Sequence, residues 1–135
     1  MTYCLAISPL SKKHGITEHK QKASHDKDLA EKLYQDDIFP DWVVTCSFYS
    51  ALHSVDAYAH KLGIDTFEPK PNEKTNAHRK RLRFVEDNLK PFFGRYNILL
   101  NRSEQCRYDP NYFKLMPKNL PETMLKLANQ FLLIK

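Results

Sequence analysis

Residues 42–61 read WVVTCSFYSALHSVDAYAHK, a stretch of twenty residues without proline or glycine. Pro40 comes just before it and Gly63 just after it, which is the usual pattern at the start and end of a helix. Asp41 is suited to the N-cap or to the first turn, where a carboxylate interacts favourably with the helix dipole. We therefore predict a central helix over residues 42–61, about 30 Å long.

The predicted central helix has two different faces. One is an apolar stripe, because apolar residues recur at spacings of three and four: Val44, Phe48, Ala51, Val55, Ala59 and Leu62. The other lies about 100° around the helix and is rich in titratable and polar groups: Cys46, Tyr49, Ser50, His53, Asp56, Ala57 and His60. The apolar stripe is expected to enter a core. The second face either lines a cleft or is ordinary solvated surface, and residue spacing alone does not distinguish the two.

Composition points to one globular, helical domain. The chain has 135 residues, of which 41% are hydrophobic and 27% charged, and this is enough for a core without a metal or disulfides. Only three residues are glycine, and Lys, Glu, Leu and Ala are common in long segments, which favours helices. The formal net charge of +5 is compatible with a polyanionic partner.

Several features favour a cytoplasmic protein. Cys4, Cys46 and Cys106 are far apart and form no CxxC motif, so neither a zinc site nor a disulfide framework is predicted. The amino-terminal sequence lacks the pattern of a signal peptide. No stretch is apolar enough to span a membrane, so no membrane association is expected.

Further helices are predicted on both sides of the central one, at residues 22–36, from 73–75 to 89, at 92–106, and from 121 or 122 to 133. Loops are predicted at residues 63–74 and 111–121, where prolines interrupt the periodicity. Together these elements predict an all-α fold, a four- to five-helix up-down antiparallel bundle formed by residues 22–135. Residues 1–21 are set apart as an N-terminal segment that could be mobile.

Two details of these helices can be tested directly. Ser24 or Asp26 is expected to cap the first helix. The last helix has a wide apolar face, which packs either on the bundle or on a second copy of the chain.

The third predicted helix carries the strongest concentration of positive charge. Its basic residues are Lys74, His78, Arg79, Lys80, Arg81 and Arg83. They form either a solvated face, with long side chains lying over their neighbours, or a strip that binds phosphate groups. We favour the phosphate-binding strip because few acidic residues are interleaved with it.

Common catalytic motifs are absent from the sequence. It contains no P-loop, GxGxxG, HExxH or GxSxG pattern, which removes support for P-loop nucleotide hydrolysis, dinucleotide redox chemistry and zinc peptidase chemistry. His53 and His60 are about two helical turns apart, so these two and Asp56 would need a ligand from elsewhere to hold a metal. No metal and no cofactor are therefore predicted.

Three short elements carry the remaining chemistry: YSALH at residues 49–53, HRKR at 78–81 and SEQCRY at 103–108. The last two are expected at the same end of an antiparallel bundle, and whether His53 joins them depends on how the helices are staggered. Arginine binds phosphate oxygens in bidentate fashion, and histidine can move the proton of a 2′-hydroxyl or of a leaving oxygen. The structural alternative is that Arg107 satisfies carbonyls at a helix end and that His53 is a hydrogen-bonded interior residue.

In these elements the sequence resembles the HEPN superfamily of small helical proteins. The matching patterns are W-x(5)-FYSALH-x-VDAY at residues 42–58, His-x-x-Arg at His78 and Arg81, and Ser-x-x-x-Arg-Tyr at residues 103–108. The resemblance covers roughly residues 25–112. It implies a four-helix up-down bundle that is usually a homodimer. Many members are metal-independent endoribonucleases of toxin–antitoxin or defence systems, and others are non-catalytic binding modules.

The sequence departs from the nuclease pattern of that superfamily. Its usual signature is an arginine followed four to six residues later by a histidine, and no histidine follows any arginine here at that distance. The imidazole of a nuclease would therefore have to come from His53 or His78. The catalytic candidates are His53, His78 and Arg107, and the nucleic-acid-binding candidates are Arg79, Lys80, Arg81, Arg83, Arg107 and Tyr108.

Three functions remain open at this point. The first is a HEPN-like module that binds RNA or a nucleotide phosphate, or a protein partner, without cutting. The second is a metal-independent ribonuclease with Arg81 and Arg107 on the phosphate. The third is a dimeric structural or regulatory subunit that makes contacts through its last helix, Tyr112 and Phe113.

Overall fold

The computed structural model describes residues 15–135, and in that range the chain forms helices and no strand. Six helices follow in order: α1 Ile16–Gln35, α2 Pro40–Lys61, α3 Ala77–Asn88, α4 Lys90–Tyr108, α5 Tyr112–Leu115 and α6 Leu120–Phe131. The all-α prediction is confirmed. The five longer helices correspond to the predicted ones, and α5 is a single turn inside the loop predicted for residues 111–121.

Helix α1 begins six residues earlier than residue 22, where it was predicted to start. The side chain of Glu18 reaches back, and its Oε1 accepts a hydrogen bond from the backbone N–H of Gly15 at 2.9 Å. Neither Ser24 nor Asp26 is the cap, since both lie inside the helix, and Asp26 is a buried residue that pairs with Lys22 at 2.7 Å. Residues 16–21 of the predicted N-terminal segment therefore belong to α1, and residues 1–14 lie outside the described part.

Helix α2 ends at Lys61, as predicted, and starts at Pro40, two residues before its predicted start. Phe39 is its N-cap, with a left-handed φ of 49°, and Pro40 is its first residue. Asp41, predicted at the N-cap or in the first turn, lies in the first turn. At the other end Gly63 has a φ of 90°, a conformation that glycine adopts without strain, and its N–H donates to the His60 carbonyl at 3.0 Å.

Helices α1 and α2 are antiparallel, as predicted from their short connection. Ser50 Oγ of α2 donates to the Ala23 carbonyl of α1 at 2.8 Å, and His53, further along α2, lies against His19, earlier in α1. Along the contact between the two helices, residue numbers thus increase in α2 where they decrease in α1.

Helix α3 runs in the same direction as α2, because the connection over residues 62–76 is long enough to return the chain to the starting end. The predicted up-down antiparallel order is therefore wrong for this pair of helices. Along the two helices His78 lies by Phe48, and Phe84 lies by Tyr58. Only Leu89 separates α3 from α4, where Pro91 stands in the first turn and the chain changes direction.

The core contains both faces of α2. The predicted apolar stripe is fully buried except for Leu62, which lies just past the end of the helix and is 48% exposed. On the second face Cys46, Ser50, Asp56 and Ala57 are also buried, and the other three residues are partly buried. This face is therefore not a solvated surface, because α1 covers one side of it.

Helix α6 packs on the bundle. Its apolar residues Met124, Leu125, Ala128 and Phe131 are buried in a single chain. The ring of Phe131 lies 5.0 Å from that of Phe92. None of the described helices is both long and apolar enough to cross a membrane.

Candidate functional site

Arg107, in the last turn of α4, is held by neutral groups. Its Nε donates to the Ser103 carbonyl at 3.2 Å, and its Nη2 donates to Ser103 Oγ at 3.3 Å. Its Nη1 donates to the hydroxyls of Tyr49 at 3.1 Å and Tyr108 at 3.4 Å. No carboxylate among residues 15–135 forms an ion pair with Arg107. The guanidinium therefore has a fixed position and forms no ion pair among the described residues.

Three aromatic rings surround the same guanidinium. Its Cζ lies 5.7 Å from the ring centre of Phe48, 5.5 Å from that of Tyr49 and 5.1 Å from that of Tyr108. Such contacts stabilise a cation without neutralising it. Phe48 and Tyr49 belong to the rigid central helix, whereas Tyr108 is 73% exposed. One face of this aromatic cage, formed by Phe48, Tyr49 and Tyr108, is therefore open to solvent.

His78, in the first turn of α3, borders the cage. Its ring lies 5.7 Å from that of Phe48, which also contacts Arg107. Burial lowers the pKa of His78, and the nearby positive charges of Arg81 and Arg107 lower it further. The imidazole is thus neutral at pH 7, and its buried Nδ1 has no hydrogen-bond partner among the described residues.

The three sequence elements meet only in part. Tyr49, His78 and Arg107 lie around Phe48, a residue that sequence analysis assigned to the core alone. His53 does not join them, because its ring faces α1, where its Nδ1 lies 3.1 Å from Nδ1 of His19. Burial lowers the pKa of His53 to about 4.

Arg81 lies inside the bundle rather than on a basic surface. It is 9% exposed, and its Nε and Nη2 donate to the two carboxylate oxygens of Asp56 at 2.7 and 3.2 Å. Its Cζ also lies 4.9 Å from the ring centre of Phe67. The guanidinium of Arg81 is thus engaged in an internal ion pair, apart from the other predicted phosphate ligands.

The rest of the basic strip is on the surface. Arg79 and Arg83 are exposed, and they line one open depression together with Lys74 and Lys80. Lys80 pairs with Glu73 at 2.9 Å, so part of its charge is compensated. Arg79 follows directly after His78 in the chain, so the strip lies on the same helix as the residue that borders the cage.

The two thiols in the described part of the chain, those of Cys46 and Cys106, give no sign of nucleophilic chemistry. Burial raises the pKa of Cys46 to about 11 and that of Cys106 to about 12, so both are protonated at neutral pH. Both are free cysteines. Cys4 lies outside the described residues.

No protein-family model, no curated protein and no solved structure matches this chain. The resemblance to the HEPN superfamily accordingly rests on the three sequence elements and on their order.

The lowered pKa of His78 predicts a dependence of stability on pH. Because His78 is neutral in the folded protein, the unfolded chain binds more protons once the pH falls below the ordinary histidine pKa of 6.5. The contribution of His78 to stability is therefore complete above pH 6.5 and decreases as the pH falls through the lower pKa of the folded state. In urea unfolding at several pH values, His78→Gln should lose less stability on acidification than the wild type. Equal losses would contradict this assignment, and exposed His25→Gln is the control.

Proposed function

We propose that this protein binds single-stranded RNA or a nucleotide through the Arg107 site, without cutting it. The observation that carries the proposal is that Arg107 forms no ion pair among the described residues and is fixed by Ser103, Tyr49 and Tyr108. Four of its five N–H groups donate within the protein, so Arg107 offers a phosphate its charge and the one remaining N–H. The exposed ring of Tyr108 offers a surface on which a base can stack beside that phosphate.

The surrounding charge supports a chain of nucleotides rather than an isolated anion. Arg79 and Arg83 of α3 and Lys74 of the preceding loop line one depression, and none of the three forms an ion pair among the described residues. Positive side chains in a row bind successive phosphates of a backbone without reading sequence. The protein is thus expected to show little preference among RNA sequences and a steep dependence on salt.

The finer description of the fold is part of the same proposal. We infer a HEPN-like bundle from the order of the three sequence elements and from the meeting of Tyr49, His78 and Arg107 around Phe48. Members of that superfamily are usually homodimers, and this chain exposes Phe113 and Leu115 on α5, where a second copy or a protein partner could dock. Sedimentation of the purified protein over a range of concentrations tests the dimer.

Binding is best tested with a fluorescein-labelled single-stranded RNA of mixed sequence in low salt and EDTA, followed by anisotropy. Arg107→Ala should weaken binding by about 10- to 100-fold, because a hydrogen bond to a charged group contributes about 1.5–3 kcal/mol. The matched control is Arg95→Ala, since Arg95 lies three turns earlier in α4, by Phe92. Binding by the wild type should also weaken steeply as salt rises.

Two outcomes would contradict the proposal. One is a wild-type protein that binds no RNA at low salt although circular dichroism shows that it is folded. The other is an Arg107→Ala variant that binds as tightly as the wild type and the Arg95 control.

A metal-independent ribonuclease is the second candidate, and the position of His78 beside Arg107 favours it. A neutral imidazole next to a phosphate ligand can act as general base on a 2′-hydroxyl. His53 and Arg81 lack this position, because one faces α1 and the other is paired with Asp56. The same RNA, analysed on a gel after incubation in EDTA, separates the two functions: cleavage that is lost in His78→Ala would establish the ribonuclease.

A further inference from the structure

A second cluster of polar side chains lies between α1 and α2, away from the Arg107 site. It consists of His19 from α1 with His53 and Asp56 from α2, and one possible ligand atom from each lies within 4.8 Å of the others. All three side chains are at least partly buried. Two imidazoles and a carboxylate that converge in this way from two packed helices form a donor set for a cation.

The spacing of the two imidazoles fits a shared ion. Nδ1 of His19 lies 3.1 Å from Nδ1 of His53. Two nitrogens bound to one tetrahedral zinc ion at about 2.0–2.1 Å are about 3.3 Å apart. The ring centres are 5.3 Å apart and the ring planes differ by 26°. Packing of α1 on α2 thus brings the two nitrogens to the separation that a metal ion requires.

Asp56 is held in place for such a role. Arg81 donates to both of its carboxylate oxygens, and this ion pair is almost completely buried. A carboxylate has about four lone-pair positions, so two hydrogen bonds from Arg81 leave capacity for a cation. Hydrogen bonds to a ligating carboxylate are typical of the surroundings of metal ligands, because they fix its orientation.

We propose that His19, His53 and Asp56 bind one divalent first-row transition metal ion, with water in the remaining position. Imidazole ligands favour zinc and its neighbours over magnesium and calcium, which prefer sites made of oxygen alone. His60, whose ring lies 5.2 Å from that of His19, covers the adjacent side of the cluster. Three protein ligands leave a coordination position open.

The proposal differs from the expectation that no metal is bound, which was based on residues of α2 alone. His53 and Asp56 needed a ligand from elsewhere, and His19 supplies it from α1. The cluster is also separate from the Arg107 site, since His53 and Asp56 interact with His19 and Arg81 and form no hydrogen bond or ion pair with Arg107.

The test uses the full chain, freed of metal with EDTA and then titrated with Zn²⁺ by calorimetry. We expect one zinc ion per chain. His19→Gln and His53→Gln should each weaken binding by at least about 10-fold, since even the residues that orient metal ligands change affinity by 10- to 100-fold. The control is His25→Gln, which removes a 69% exposed histidine from the same helix and should bind as the wild type does.

A second measurement distinguishes lost coordination from lost structure. Co²⁺ replaces zinc in such sites, and its visible absorption bands report nitrogen and oxygen ligands at low coordination number. These bands should appear with the wild type and disappear with His19→Gln, whose fold is checked by circular dichroism in EDTA. The proposal is overturned if the wild type binds no zinc, or if a folded His19→Gln variant keeps both the affinity and the bands.

Discussion

Asp56→Ala is expected to lower the free energy of unfolding by about 3–5 kcal/mol, the usual effect of removing one partner from a buried ion pair. Both side chains of the pair are almost completely enclosed, at 11% exposed for Arg81 and 12% for Asp56. The substitution leaves the guanidinium of Arg81 charged, buried and without its counterion. Urea unfolding followed by circular dichroism, in EDTA so that no metal contributes, measures the loss.

Two further variants show whether the loss of stability in Asp56→Ala is caused by the burial of the ion pair. Glu31→Ala removes a carboxylate from the Lys27–Glu31 pair, which lies near the surface of α1, and should change stability by less than about 1 kcal/mol. The double variant Asp56→Leu, Arg81→Met removes both buried charges and should be more stable than Asp56→Ala. If Asp56→Ala lowers the free energy of unfolding by no more than Glu31→Ala does, the Asp56–Arg81 pair does not have the energetic effect expected of a buried ion pair.

Sequence reasoning predicted α2 well because its signals are local. Pro40 and Gly63 bracket the helix, and the spacing of Val44, Phe48 and Val55 identifies the side that enters the core. Each of these features depends only on neighbouring residues, so no knowledge of the other helices is needed. The second face of α2 was ambiguous for the opposite reason: its burial depends on α1, whose position no local signal provides.

Arg81 shows where pattern reasoning failed. It lies one turn before Phe84 and Val85, both buried, and so it belongs to the inner face of α3. Polarity alone placed it with the exposed cations Arg79 and Arg83. Burial of Arg81 is possible because Asp56, 25 residues earlier, supplies the counterion, and a pairing between two helices leaves no periodic trace in the sequence.

His19 was missed because of an error in a helix boundary. The prediction began the first helix at residue 22, which left His19 in an N-terminal segment, away from His53. A signal was present, since Gly15 followed by Glu18 three residues later resembles a capped helix start. Reading that start would have placed a third histidine on a helix antiparallel to α2, opposite His53.

Phe131→Ala is expected to lower the free energy of unfolding by about 3–5 kcal/mol, because it removes a fully buried ring from a core that cannot close the cavity. The ring of Phe131 packs against those of Phe92 and Tyr96 of α4, so the substitution removes contacts between α6 and α4. Thermal and urea unfolding measure it. The control is Leu133→Ala, two residues later, where a side chain that is 76% exposed should change stability by less than about 0.5 kcal/mol.

Measurements on the wild type and Phe131→Ala at several protein concentrations also show whether the apolar face of α6 packs within one chain or binds a second copy. If the face packs within one chain, the loss in Phe131→Ala is the same at every protein concentration. If the face instead bound a second copy, the unfolding midpoint of the wild type would rise with concentration, and Phe131→Ala would abolish that rise. Because Met124, Ala128 and Phe131 are at most 2% exposed in a single chain, we expect no dependence on concentration from this face. A dimer of this protein would then have to form through other residues, and exposed Phe113 and Leu115 on α5 are the first to substitute.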